Sequence, residues 1–280
     1  MYSASEIALA LKLSEPTEEQ VAIAEAPVNS ASRVVAGAGS GKTETMALRV
    51  LWLVANGFIN SELILGLTFT RKAKAELGSR IRLRLRGLAK LGILENGDDF
   101  GPSTVATYNS FAAKIYRDFA PLLGLDPDAQ VLSEASAWAM TTRVVASSNL
   151  PNLEDLDLTL DSLAGMVRNL GFRMKENNVQ TDILVQFVRE FLETKELPNG
   201  GRGTYKKIDE WADRVAHLVP LARLVEELDA EKRRLGVVEF SDQVFLASQL
   251  AEQFPRVVEQ TRSRHQVVLL DEYQDTSVLQ

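Results

Sequence analysis

The sequence predicts an α/β fold, a parallel sheet core interrupted by a long helical insertion, and three observations predict it. A glycine-rich loop, Ala36-Gly37-Ala38-Gly39-Ser40-Gly41-Lys42-Thr43, stands between a short apolar run and a helical pattern. Val267-Val268-Leu269-Leu270 is an apolar run that closes on two carboxylates, Asp271 and Glu272. Between these two, most of 134–235 carries helical periodicity. Strand-and-helix segments early and late therefore bracket a helical middle: a sheet core at 1–115 and 236–280, and an insertion at 116–235.

The elements follow in order. MYSASEIALALKL reads as a short capped helix and lacks the basic segment that opens a signal peptide. Thr17 opens a helix over 17–26. Val34-Val35 places a strand at 33–36, and Met46, Val50, Leu53 and Val54 mark the helix behind the glycine loop. A second strand spans 63–69 and a third 104–107. RIRLRLR alternates like a strand. The recurrence of Ala73, Leu77, Ile81, Leu85 and Leu88, together with the helix-forming Ala, Leu, Lys and Arg, favours a helix over 71–91. Helices follow at 111–120 and through 134–235, with breaks near Pro151, at Asn177-Asn178 and at 198–203. A helix over 240–253 precedes the buried strand 267–272.

Composition excludes several classes. There is no cysteine, so no disulfide and no thiolate metal site, and the two histidines, His217 and His265, are far apart. No apolar run approaches membrane-spanning length, and a reduced cytoplasm is expected. The whole chain carries −7, yet residues 71–90 hold eight basic side chains and one acidic, a local +7. A basic stripe on an acidic body points to a local anionic partner, or to a solvated helix face.

Strand, glycine loop and helix form the context of a phosphate-binding P-loop. Ala36 replaces the usual first glycine, where only a small side chain is needed. The backbone N–H groups of Ala38, Gly39, Ser40 and Gly41 can turn inward on phosphates, aided by the following helix N-terminus. Lys42 can reach β- and γ-phosphates, and the Thr43 hydroxyl can hold Mg²⁺. The run ending in Asp271-Glu272 matches the acidic element that accompanies such a loop. Asp271 would hold Mg²⁺ through water, and Glu272 would align and deprotonate the attacking water. A buried strand meeting an exposed acidic turn has the same pattern without the chemistry.

These segments, in this order, resemble the N-terminal part of superfamily-one DNA helicases of the UvrD/Rep type. Pro16-Thr17-Glu18-Glu19-Gln20 resembles the Q motif, and AGAGSGKT motif I. Thr68-Phe69-Thr70-Arg71-Lys72-Ala73 resembles motif Ia. Thr107-Tyr108-Asn109-Ser110-Phe111 resembles the TFHSF segment. Val238-Glu239-Phe240-Ser241-Asp242 resembles the segment leading back to the core. Leu270-Asp271-Glu272-Tyr273-Gln274-Asp275-Thr276, with DEYQDT the most specific string, resembles motif II. ETMALRVLWLVANG followed by LGLTFTRKA is similar to the actinobacterial AdnB-type helicase–nuclease motor subunit.

The resemblance implies a RecA-like core with a helical subdomain, and ATP and Mg²⁺ as cofactors. It implies 3′→5′ movement on single-stranded DNA or a 3′-tailed duplex, in repair or recombination, and a second helicase–nuclease subunit as a partner. It puts Gln20 on the adenine edge, an alternative to its capping box with Thr17. It adds Gln274 to Lys42, Asp271 and Glu272 as catalytic. It makes Phe69, Thr70, Arg71, Thr107, Tyr108 and Asn109 strand contacts, with Asn109 replacing a histidine and Glu44 standing where relatives carry arginine. The Gly200–Lys207 loop is a linker or a further DNA contact. The third motif, the γ-phosphate arginines and the second RecA-like domain of such helicases do not follow motif II here. The chain is therefore expected to be a fragment, marginally stable, near background in hydrolysis and unable to unwind, with strands 33–36 and 267–272 flanking a gap. A P-loop ATPase of another class, or a fragment that only binds nucleotide or single strands, are the alternatives.

Overall fold

The structure, a computed structural model, describes residues 1–37, 39–94, 103–151, 153, 156–194 and 206–280, excepting the side chains of 206, 207 and 209. In chain order its helices are α1 (Ala4–Ala10), α2 (Glu18–Ala24), α3 (Lys42–Ala55), α4 (Arg71–Lys90), α5 (Tyr108–Phe119), α6 (Glu134–Ser147), α7 (Leu160–Glu176), α8 (Thr181–Thr194), α9 (Lys206–Ala216), α10 (Leu218–Leu235), α11 (Phe240–Gln253) and α12 (Pro255–Arg264). The strands are β1 (Ile64–Thr68), β2 (Thr104–Thr107), β3 (Gln130–Val131), β4 (Val237–Val238) and β5 (Val267–Leu270). The chain packs as two compact units, 1–111 with 254–275 and 112–253 with 276–280. The break predicted at 198–203 and most of the Gly200–Lys207 loop lie outside the described residues.

The first unit is built on a parallel three-stranded sheet in the order β2-β1-β5. Leu65 and Leu67 pair with Thr104 and Ala106 on one side, and Ile64 and Leu67 with Val267 and Leu270 on the other. All five residues of β1 are buried, as a central parallel strand requires. β5 alternates between half-buried and exposed. α4 confirms the helical reading of the basic run: Leu77, Ile81, Leu85 and Leu88 are buried along one face, while Arg71, Lys72, Lys74, Arg82, Arg86 and Lys90 are exposed. Thr70 caps it, accepting from the Ala73 N–H at 3.0 Å. The core gathers Ile7, Leu51, Leu53, Ile64 and Leu88.

One predicted element does not form. Residues 31–37 make no strand; Val34 is 44% exposed and Val35 84%. Two β-branched residues after the polar Asn29-Ser30-Ala31-Ser32-Arg33 supply no ladder of their own, and among the described residues none pairs with them. A strand at 33–36 is therefore not available to flank a gap. Among the described residues β5 is bonded on the β1 side alone.

The second unit is helical, with β3 and β4 in a short parallel pair, Gln130 opposite Val237. Its apolar core joins α6, α7 and α10 through Val144, Leu163, Val167, Leu224 and Leu228. The sequence reading assigns 236–253 to the sheet core. Here these residues group with the helical unit, because α11 packs on α7 and on the turn Ala120–Leu123. Asp242, in α11, is the centre of a buried ionic cluster. Lys175 Nζ from α7 reaches it at 2.5 Å, Lys232 Nζ from α10 at 2.8 Å, and the Glu239 N–H donates to it at 2.9 Å. Asp229 holds both lysines, at 2.6 and 3.1 Å. Burial alone would push the Asp242 carboxyl up; the two lysines and their hydrogen bonds outweigh it and hold it at about 2. Among the described residues no helix is long and apolar enough to cross a membrane.

Candidate functional site

The glycine loop is shaped as its sequence requires. Gly39 and Gly41 sit at φ 77° and 84°, in the left-handed region that favours glycine. Gly41 caps α3 with no side-chain hydrogen bond, which leaves the first N–H groups of a 14-residue helix unmet by any cap. A helix N-terminus in that state is an anion site. Ser40 Oγ donates to the Gly37 carbonyl at 2.8 Å. Lys42 Nζ donates to the carbonyls of Ala36 and Gly37 at 3.3 and 3.2 Å, so the loop curls around its own lysine. Thr43 follows, half-buried in the first turn. Ala38 lies outside the described residues.

Gln20 makes the capping box: its side-chain oxygen accepts from the Thr17 N–H at 3.1 Å, and the Thr17 hydroxyl accepts from its N–H at 3.3 Å. The same amide donates through Nε2 to the Ser40 carbonyl at 3.1 Å, tying α2 to the loop. A Cβ at position 41 would fall 2.8 Å from that Nε2, a second reason for glycine there. Glu44, odd by sequence, is bound by Arg80 at 3.0 Å and Arg84 at 2.5 Å. It anchors the basic helix α4 to the start of α3, a role that sequence reasoning missed. Its only signal was a carboxylate near a run of arginines.

The acid pair ends β5. Asp271 is 8% exposed. Burial pushes its carboxyl up and the neighbouring charge of Glu272 pushes the same way; the Glu272 N–H bond and then the charge of Lys42 oppose them. The Asp271 N–H donates to the Leu67 carbonyl at 2.9 Å, and the Tyr108 hydroxyl donates to the Asp271 carbonyl at 3.0 Å. Glu272 is exposed and sits at φ 49°, a left-handed conformation unusual for a non-glycine residue. Gln274 Nε2 donates to its carboxylate.

Parallel pairing brings the remaining candidates to the same end of the sheet. Phe69, Thr70 and Arg71 follow β1; Thr107 ends β2, and Tyr108 and Asn109 open α5 directly after it; Asp271 and Glu272 follow β5. The carboxyl ends of parallel strands are where α/β sheets bind ligands. Phe69 is half-buried with its ring 4.9 Å from that of Tyr108. Arg71 and Asn109 are exposed. Thr70 and Thr107 already have local tasks. Thr70 caps α4, and the Thr107 hydroxyl shares a hydrogen bond with Ser110 Oγ at 2.9 Å and accepts from the Ser110 N–H at 3.1 Å. The buried Tyr108 hydroxyl is the other feature that sequence reasoning missed. A tyrosine at a buried strand end, which needs a polar partner, was its signal.

Fold and loop together define a parallel α/β domain with an uncapped glycine-loop helix and an acidic pair at the carboxyl ends of its strands. The chain belongs to the UvrD/REP helicase N-terminal domain family, whose model matches residues 16–280. It is 27% identical over 247 residues to the ATP-dependent DNA helicase UvrD1 of Mycobacterium leprae, covering 87% of this chain and 26% of that protein. It is 26% identical to DNA helicase II of Haemophilus influenzae, covering 88% and 28%, and 22% identical to the ATP-dependent DNA helicase PcrA of Staphylococcus aureus, with the same shares. The chain thus spans about a quarter of the length of the curated relatives it matches.

Proposed function

We propose that this chain is the ATP-binding portion of an ATP-dependent 3′→5′ DNA helicase that moves on single-stranded DNA or a 3′-tailed duplex in repair or recombination. The first unit is its ATP-binding core and the second its helical insertion. The carrying observation is a pair of opposite polarities within one unit: an uncapped helix N-terminus beside Lys42, and an acid of low exposure, Asp271, raised by burial and by Glu272. One side wants an anion, the other a cation, and Mg²⁺-ATP is both. Lys42 and the loop amides would hold phosphate, Thr43 and Asp271 the metal, and Gln20 the adenine edge. Bound Mg²⁺ would neutralise charge on the phosphates. Glu272, steadied by Gln274, is the group placed to take a proton from water. Phe69 offers a ring to a base, Arg71 a charge to phosphate, and Thr70, Thr107 and Asn109 the polar rim of that face; Tyr108, read from the sequence as a strand contact, lies buried beneath it with its hydroxyl on the Asp271 carbonyl. Within the family, the AdnB-type likeness of 44–57 and 65–73 supports a helicase–nuclease motor with a second subunit, in a cytoplasmic setting.

ATP turnover by the full-length protein, with and without single-stranded DNA, tests the reading. Lys42→Ala is expected to lose most nucleotide binding. Glu272→Gln should keep binding and lose about 10²–10⁴-fold in turnover. Normal hydrolysis by Glu272→Gln removes the general base. Turnover indifferent to DNA in the wild type would leave a nucleotide-binding domain without the motor.

A further inference from the structure

We propose that Tyr108 is a positioning residue: its hydroxyl holds the peptide between Asp271 and Glu272, and its ring links that peptide to Phe69. The proposal rests on the reading of Glu272 as general base and Phe69 as a strand contact.

Tyr108 is buried, and its hydroxyl reaches across 163 residues of sequence to the Asp271 carbonyl at 3.0 Å. That carbonyl and the Glu272 N–H belong to one rigid peptide plane. Fixing the oxygen fixes the plane about which the Glu272 φ turns. The Asp271 N–H is held as well, by the Leu67 carbonyl of β1. Asp271 is therefore pinned on both sides, and the next rotation along the chain is that of Glu272. Its φ of 49° persists only where the surroundings impose it. The hydroxyl, at the start of α5, holds the peptide before that rotation, and the Asp275 N–H, donating to the Glu272 carbonyl at 2.9 Å, holds the one after it. A phenol keeps its proton throughout the neutral range, so the hydroxyl stays a donor.

The ring supplies the other half. Phe69 lies 4.9 Å from Tyr108 at 47°, and both pack with Leu65, Leu67 and Ala106. A base stacking on Phe69 has to share that ring with Tyr108. Any shift of the pair is delivered to the Asp271 carbonyl, one peptide from the proton acceptor. Phenylalanine, which the TFHSF segment carries at this position, would keep the packing and lose the bond.

The test is Tyr108→Phe in the full-length protein. The KM for ATP should stay within about twofold while kcat falls about tenfold, because misplaced groups cost rate more than binding. DNA stimulation should fall with it. Phe69→Ala and Tyr108→Phe should be non-additive in DNA-stimulated turnover, the double variant matching the worse single one. A purely structural hydroxyl would lower the melting temperature and leave the split between kcat and KM unmoved. Should Tyr108→Phe fold poorly, amide exchange over 271–275 in the wild type is the second readout. Exchange there should change when single-stranded DNA binds, and should not change in Phe69→Ala. Wild-type kcat and stimulation in Tyr108→Phe overturn the inference, as does exchange indifferent to DNA. If Glu272→Gln is dead and Tyr108→Phe is normal, only this inference falls; if Glu272→Gln is active, the reading beneath it falls.

Discussion

Asp271 and Asp242 both expose little surface, 8% and 6%, though Asp242 lies the deeper, and burial pushes both carboxyls up; yet one ends raised and the other at about 2. The difference is in their partners. Asp242, in the helical unit, has Lys175 and Lys232 within 2.8 Å and a backbone N–H besides. Asp271, in the sheet unit, has a second carboxylate as its neighbour, and only the Glu272 N–H bond and the charge of Lys42 are set against burial and that repulsion. Low exposure therefore does not by itself set the state of a carboxyl. Asp242 is neutralised by the fold. Asp271 keeps a raised carboxyl, the state in which added positive charge would count most.

Making the same substitution at both sites is the sharpest way to break this comparison. Asp242→Asn strands two buried lysines and should destabilise the helical unit by about 3–5 kcal/mol. Urea unfolding followed through Trp138 and Trp211, both in that unit, reads it. A loss under about 1 kcal/mol would mean that Asp229 and Glu239 suffice for the lysines.

Acid is the second probe. The folded pKa of Asp242 lies below its ordinary 3.8, so its contribution is fully present above about pH 4 and drains away as pH falls towards about 2. The helical unit should lose stability across that window, and Asp242→Asn should flatten the loss. Asp271, raised, has the opposite sign: its charge opposes folding above its ordinary pKa, and that penalty is relieved as pH falls.

The smallest effect is expected at that second site. Asp271→Asn should leave stability within about 1 kcal/mol or raise it slightly, since no buried cation is stranded. A loss as large as that of Asp242→Asn would erase the distinction between the two acids.

Much was legible in the chain. The glycine loop, the capping box at Thr17, the basic helix and the acidic close of β5 are local patterns, and each needs only a few consecutive residues to declare itself. Val34-Val35 shows where this fails. Their apolar character is local, but a strand exists only through the hydrogen bonds of a neighbour, and none of the described residues supplies them. The ion pairs of Glu44 went unread for a related reason: its arginines are 36 and 40 residues away, one helix over.

By itself the sequence determined which segments turn, cap and coil, and which residue types stand ready at the glycine loop and the acid pair. Spacing and side-chain chemistry act within a few residues, so they are written in order along the chain. Only the tertiary structure decided which buried charges would find partners. It brought Lys175, Asp229, Lys232 and Asp242 together from three helices, set β1 between β2 and β5, and carried the Tyr108 hydroxyl to the Asp271 carbonyl. Compensation of a buried charge depends on distance in space, and the sequence records only distance along the chain.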